Sequence, residues 1–149
     1  MMITTGKLTL IYSCFLILPV FAFSQAKKPA STASNTVKLS IERGKKIYAE
    51  QCLACHQADG LGVQNMNPPL SKTKWVLGEK NALITIVLKG MNQEVEINGD
   101  TYHNVMPPHE TTMTDQQIAD VLTYIRNNFG NKASAIKEAD VKAVRAKTK

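Results

Sequence analysis

Apolar residues recur with a helical period late in the chain. Ile118, Val121, Leu122, Ile125 and Phe129 fall at i, i+3, i+4, i+7 and i+11, forming one stripe. Thr114 as N-cap with Gln117 three residues on makes a capping box, and Met113 with Ile118 makes a hydrophobic staple. Gly130 follows as a residue able to turn left-handed past the last turn. The same reading predicts a first helix from Ser40 as N-cap to about Cys52, and a second from Lys80 to Lys89 stopped by Gly90. Residues 57–78 hold Gly60, Gly62, Pro68 and Pro69 and read mostly as loop. Val95 to Ile97 and Asp100 to Val105 flank Asn98-Gly99, a strong hairpin signal. Glu138 to Ala146 reads as one further short helix. The fold class expected is all-α: three main helices, a short hairpin and a C-terminal helical extension.

One other apolar run lies at the start. Lys7 precedes Leu8 to Phe23, and Ala22-Phe23-Ser24 puts small residues where a signal peptidase reads, which predicts an export signal over residues 1–24. A retained anchor is the rival. Sixteen helical residues reach only about 24 Å, short of a hydrocarbon core near 30 Å. Lipid attachment through Cys14 is disfavoured by the bulky Tyr12 ahead of it. Residues 25–38, rich in Lys, Ala, Ser and Thr, read as a mobile leader. That leaves one domain over residues 39–130 and an extension over residues 131–149.

Composition sharpens this picture. The 149 residues are 44% hydrophobic and 20% charged with a net charge of +6, a balance that excludes collagen-like, mucin-like and wholly disordered chains. Removing residues 1–24 takes away one base and three of the four Phe, leaving Phe129, Tyr48, Tyr102, Tyr124 and Trp75 as the aromatics. Each large ring normally buries about 150–250 Å², so five make a thin core. Something besides side chains is expected to fill the centre. The cut also removes Cys14, so Cys52 and Cys55 are the remaining thiols.

Those two thiols stand in Cys52-Leu53-Ala54-Cys55-His56. Thiols spaced C-x-x-C at a helix end can add across the two vinyl groups of a haem, and the histidine that follows can present its imidazole to the iron. This is the c-type haem attachment pattern. A thioredoxin-like redox pair would want a preceding strand, whereas here a helix is predicted. A zinc site would want two more ligands at short spacing, and only His103 and His109 remain. Haem c is therefore the cofactor expected, one per chain.

A haem iron also needs a ligand on its other face. Met66 is only ten residues from His56, Met91 follows a helix-ending Gly, and Met113 serves the staple. Met106 precedes the stiff Pro107-Pro108 and follows a hairpin that can carry it across the ring. Met106 is the sixth ligand expected; His103 and His109 are the alternatives, each better explained as an exposed loop residue.

At this point the chain resembles the small single-haem class I cytochromes c of bacteria, over about Leu39 to Gly130. The resemblance implies that Gly44 and Tyr48, eight and four residues before Cys52, lie where the first and last helices cross, with Tyr124 opposite. It implies that the Pro68 carbonyl accepts from the His56 imidazole, that Leu70 and Trp75 pack at the haem edge, and that Trp75 donates to a propionate. Met106-Pro107-Pro108 after a short hairpin is similar to periplasmic cytochromes, including those serving dehydrogenases and reductases. The leader and the tail are not covered, and Lys137 stands where a helix-capping Thr or Ser is expected.

The function implied is one-electron transfer outside the cytoplasm, not catalysis, between redox proteins such as a dehydrogenase, reductase or oxidase. The alternative is a peroxidase-like haem enzyme or ligand sensor with a labile sixth ligand; no distal acid–base pair is visible for it. A monomer without nucleic acid or a small-molecule substrate is expected. Lys45, Lys46, Lys72, Lys74, Lys80 and Lys89 fall in segments expected around the haem and could steer an acidic partner. Glu94, Glu96 and Asp100 nearby support a merely soluble surface equally well.

Overall fold

The computed structural model describes Met1, Met2 and residues 30–148, with side chains from residue 33 onward. The expected export segment lies almost wholly outside the described residues, as does the first part of the leader. Among the described residues six helices and one hairpin follow in order: α1 (Ala30–Gln51), α2 (Leu53–His56), α3 (Lys74–Leu77), α4 (Lys80–Lys89), β1 (Val95–Ile97), β2 (Asp100–Tyr102), α5 (Asp115–Arg126) and α6 (Glu138–Lys147). No helix among the described residues is long and apolar enough to cross a membrane.

The first helix starts at Ala30, eleven residues before Ile41, its expected first residue. Ser40 does not cap it; its hydroxyl donates to Asp120 Oδ1 at 2.6 Å. Residues 30–38 contain neither Gly nor Pro. Once the packed half of α1 has nucleated, each further residue adds a hydrogen bond at little cost, so the helix extends back into the leader. The loop over residues 57–78 also holds a turn of helix, α3, capped by the buried Thr73 hydroxyl, which accepts from Val76 N–H at 3.3 Å.

α1 crosses α5, and the crossing is built on Gly44. A Cβ there would stand 2.0 Å from the Asp120 carbonyl oxygen and 2.8 Å from Tyr124 Cβ. Beside it, Arg43 clasps the buried Asp120 carboxylate through Nε (2.6 Å) and Nη2 (2.8 Å), and Gln116 adds a bond at 3.0 Å. Tyr48 packs on Tyr124 with centroids 5.4 Å apart.

α5 carries the expected capping box: Thr114 Oγ1 accepts from Gln117 N–H at 3.2 Å, and Gln117 Oε1 accepts from Thr114 N–H at 2.9 Å. Its end differs. The helix stops at Arg126, four residues before Gly130, because Asn side chains intervene: Asn127 Nδ2 donates to Thr123 O, and Asn128 Oδ1 accepts from Phe129 N–H. Phe129 leaves the helical stripe at φ +54° and turns its ring onto Tyr48 (5.2 Å) and Tyr124 (5.6 Å).

The hairpin forms at the predicted place, with Val95 opposite Tyr102 and Ile97 opposite Asp100. Asn98 and Gly99 both take positive φ, 56° and 89°, as a two-residue hairpin turn demands. The second strand ends at Tyr102, three residues short of its expected end.

The extension is part of the body. Ile136, Val141 and Val144 are buried in the main core, each contributing about 1.5–3 kcal/mol on full burial. Thr123 Oγ1 donates to Ile136 O, and Arg126 Nε donates to Ser134 O. α6 lacks a Ser or Thr cap, and the Asp140 carboxylate accepts from Lys137 N–H at 2.9 Å in its place.

Candidate haem site

α1 breaks at Cys52 (φ −123°) and resumes as α2, so the helix-end position expected for the motif is real. Cys52, Cys55 and His56 all line one cavity, partly open to solvent, whose empty space with the adjoining solvent comes to about 1240 Å³. The two cysteines are not bonded to each other. Burial, with the neighbouring Cys55, pushes the Cys52 thiol up to about 11, so it remains a neutral thiol among apolar groups.

His56 is buried, and its Nδ1 lies 3.0 Å from Pro68 O. A carbonyl can only accept, so Nδ1 carries the proton and Nε2 keeps its lone pair. Burial holds the imidazole below its ordinary pKa, and the Pro68 bond opposes that only in part. A neutral, oriented ring with a free Nε2 is what an iron ligand requires. The Pro68 carbonyl is presented by a tight loop in which Gly62 (φ +68°) approaches Asn67 O and Pro68 O so closely that a Cβ would stand 2.1 and 2.7 Å away.

The remaining lining is mainly apolar, including Leu70, Leu83, Val87, Ile97 and Leu122. Trp75 lines it too, and its buried Nε1–H has no hydrogen-bond partner. An orphaned buried donor costs about 1–3 kcal/mol. A carboxylate of a haem seated in the cavity would satisfy it. The donor set, the apolar walls and this orphaned N–H together fit a covalently held haem.

The structure separates the candidate sixth ligands. Met66 is half-exposed and does not line the cavity, whereas Met91, Met106 and Met113 do. Met91 and Met106 pair as backbone neighbours, with Met106 N–H to Met91 O at 2.8 Å and the reverse bond at 3.0 Å. Gly90 makes that pairing possible. At φ +73° it sits where a Cβ would stand 2.4 Å from Met106 O and 2.9 Å from Pro108 N. His103 is exposed and bound to Glu94 at 3.0 Å, away from the cavity. His109 does line it, with a pKa lowered by burial. Among the described residues no three His, Cys, Asp or Glu side chains gather as a metal-binding group, so the zinc reading lacks its further ligands.

The expected lysine ring is only partly available. Lys89 is tied to Glu110 (2.8 Å), and Lys80 donates to Ala135 O (2.7 Å). Lys45, Lys46, Lys72 and Lys74 are exposed, and no lysine lines the cavity among the described residues. Sequence reasoning missed Gly90, whose helix-stopping role hid its contact with the Met106 segment, and Arg145, treated below.

A family model described as cytochrome c matches residues 41–129. Cytochrome c-552 of Thermus thermophilus is 35% identical over 113 residues, covering 70% of this chain and 85% of that protein. The cytochrome c subunit of a quinone alcohol dehydrogenase from Komagataeibacter europaeus is 34% identical over 103 residues, covering 68% of this chain and 22% of that subunit. The gluconate 2-dehydrogenase cytochrome c subunit of Pantoea cypripedii is 34% identical over 107 residues, 70% of this chain and 24% of the subunit. This chain thus spans about a fifth to a quarter of the length of the dehydrogenase subunits it matches.

Proposed function

The chain belongs to the cytochrome c family, and from that premise we propose that it is an exported carrier of single electrons, with one haem c, ligated by His56 and Met106. The observation that carries the reading is the His56 Nδ1–Pro68 contact at 3.0 Å, which leaves Nε2 free beside Cys52 and Cys55. Haem c, when bound, supplies a one-electron ferric–ferrous couple. Cys52 and Cys55 fix the group to the chain, and His56 is held in one tautomer by Pro68. Met106, the one methionine stiffened by two following prolines, contributes a soft sulfur from a separate segment of the same cavity. With His56 and Met106 both on the iron, no coordination site would be left for a substrate.

Relatives named as cytochrome subunits of dehydrogenases support redox enzymes as partners. The apolar run after Lys7 supports export to the periplasm, with cleavage after Ser24. The carrier acts as a monomer. A pyridine haemochrome assay with a redox titration tests this reading. The expected result is one haem c per chain, a reversible one-electron wave, and no rapid carbon monoxide binding to the ferrous protein. Rapid carbon monoxide binding would favour a ligand sensor or peroxidase-like enzyme.

A further inference from the structure

The C-terminal helix returns to the strap that carries Met106. Residues 107–114 form no helix or strand, and Pro107 and Pro108 have no backbone N–H to donate. The strap therefore depends on its other attachments. On the α4 side, His109 N–H bonds Val87 O (3.0 Å), Glu110 N–H bonds Leu88 O (3.1 Å), and Lys89 holds the Glu110 carboxylate. On the other side one guanidinium does the work of several ties. Arg145 donates through Nε to Asp115 Oδ1 (2.6 Å), through Nη1 to Glu110 O and through Nη2 to Met113 O (2.9 Å).

We propose that Arg145 is a positioning residue for the sixth ligand: from α6 it clamps residues 110–115 and so holds the Met106 strap closed over the haem cavity. Three features carry this. A planar fork spreads five donors in fixed directions over three nitrogens and so reaches three separated acceptors, whereas Lys gathers its three donors on one atom. The fork is rigidly mounted, because Val141 and Val144 on the same helix are buried in the core. Its acceptors lie four, seven and nine residues beyond Met106, two on the strap that also supplies His109 and Met113 to the cavity wall and the third at the first residue of α5. Residues 131–148, which carry Arg145, lie beyond the matched family segment. The inference rests on Met106 as the sixth ligand.

The test uses ferric holoprotein as wild type, Arg145→Gln, Arg145→Lys, and Arg43→Gln as a variant that loosens the α1–α5 crossing instead. Cyanide association, the long-wavelength iron–thioether band and amide hydrogen exchange over residues 106–113 are measured. In Arg145→Gln, cyanide binding should quicken about tenfold or more, exchange should rise across the strap, and the band should fade below the global melting temperature. Arg145→Lys should behave alike, and serves if Arg145→Gln does not accumulate. Arg43→Gln should lower the melting temperature yet leave cyanide binding near the wild-type rate. Arg145 variants with wild-type cyanide rate and band would overturn the clamp. A wild-type protein lacking the band would instead sink the Met106 assignment, and the clamp with it.

Discussion

Single residues set the tolerances of this site. Gly44 is the clearest case, because two effects of opposite sign compete there. Ala in a helix is favoured over Gly by about 1 kcal/mol. The new Cβ, however, would meet the Asp120 carbonyl oxygen at 2.0 Å, and backbone cannot rotate away as a side chain can. Overpacking of this kind costs about 1–3 kcal/mol, sometimes more. Gly44→Ala should therefore lower the unfolding free energy of the holoprotein by roughly 2 kcal/mol in a denaturant titration. A stabilised variant would show that α1 and α5 do not approach so closely. The Arg43–Asp120 pair beside it is a different kind of contact. Asp120 is buried while Arg43 is half-exposed, so its importance lies in satisfying a buried carboxylate more than in net attraction.

Among the elements, the segment from the end of α4 through the hairpin to Met106 decides the site's geometry, and two glycines in it separate strain from contact. Gly90 and Gly99 both have positive φ, 73° and 89°, so Ala is strained at either by about 1–3 kcal/mol. Only Gly90 has the Met106 backbone against it; a Cβ on Gly99 would meet nothing within 4 Å. Gly90→Ala should weaken the ferric thioether band as well as lower the melting temperature, whereas Gly99→Ala should lower the melting temperature alone. Equal effects on the band would mean that the Met106 segment is not seated on Gly90. Much of this was legible in the sequence, where the information is local: the haem motif, the Thr114 capping box, the Asn98-Gly99 turn and the extent of α4. Pro68 against His56, and Gly44 with Tyr48 against Tyr124, were legible through resemblance to a family. What was hidden lies in contacts between residues far apart, such as Ser40 with Asp120 or Arg145 with Glu110 and Met113, which leave no periodic trace. The early start of α1 was hidden for another reason: polar residues without Gly or Pro look the same in a leader and in the exposed turn of a helix.

At the scale of the whole molecule, three of the five aromatics, Tyr48, Tyr124 and Phe129, cluster where α1 meets α5, while Trp75 and Tyr102 line the haem cavity. The cavity walls are chiefly aliphatic, and α6 supplies part of the core that five aromatics could not. A mainly apolar cavity left open to solvent in the middle of so small a body is an unmet burial. A haem tethered through Cys52 and Cys55 would fill that cavity and bury apolar surface that the unfolded chain leaves in water. Cys52→Ala combined with Cys55→Ala should therefore leave little folded protein. A cooperative thermal transition of that haem-free variant, at near-native helix content, would contradict this. The proposal that His56 and Met106 would together hold the iron of one haem is tested most directly by the spectrum and reduction potential of Met106→Ala. Loss of a soft sulfur donor removes a preference for the ferrous state. The variant should lose the long-wavelength thioether band, bind cyanide rapidly and show a lower potential than Met91→Ala or Met113→Ala, which line the same cavity; an unchanged band and potential in Met106→Ala would contradict the account.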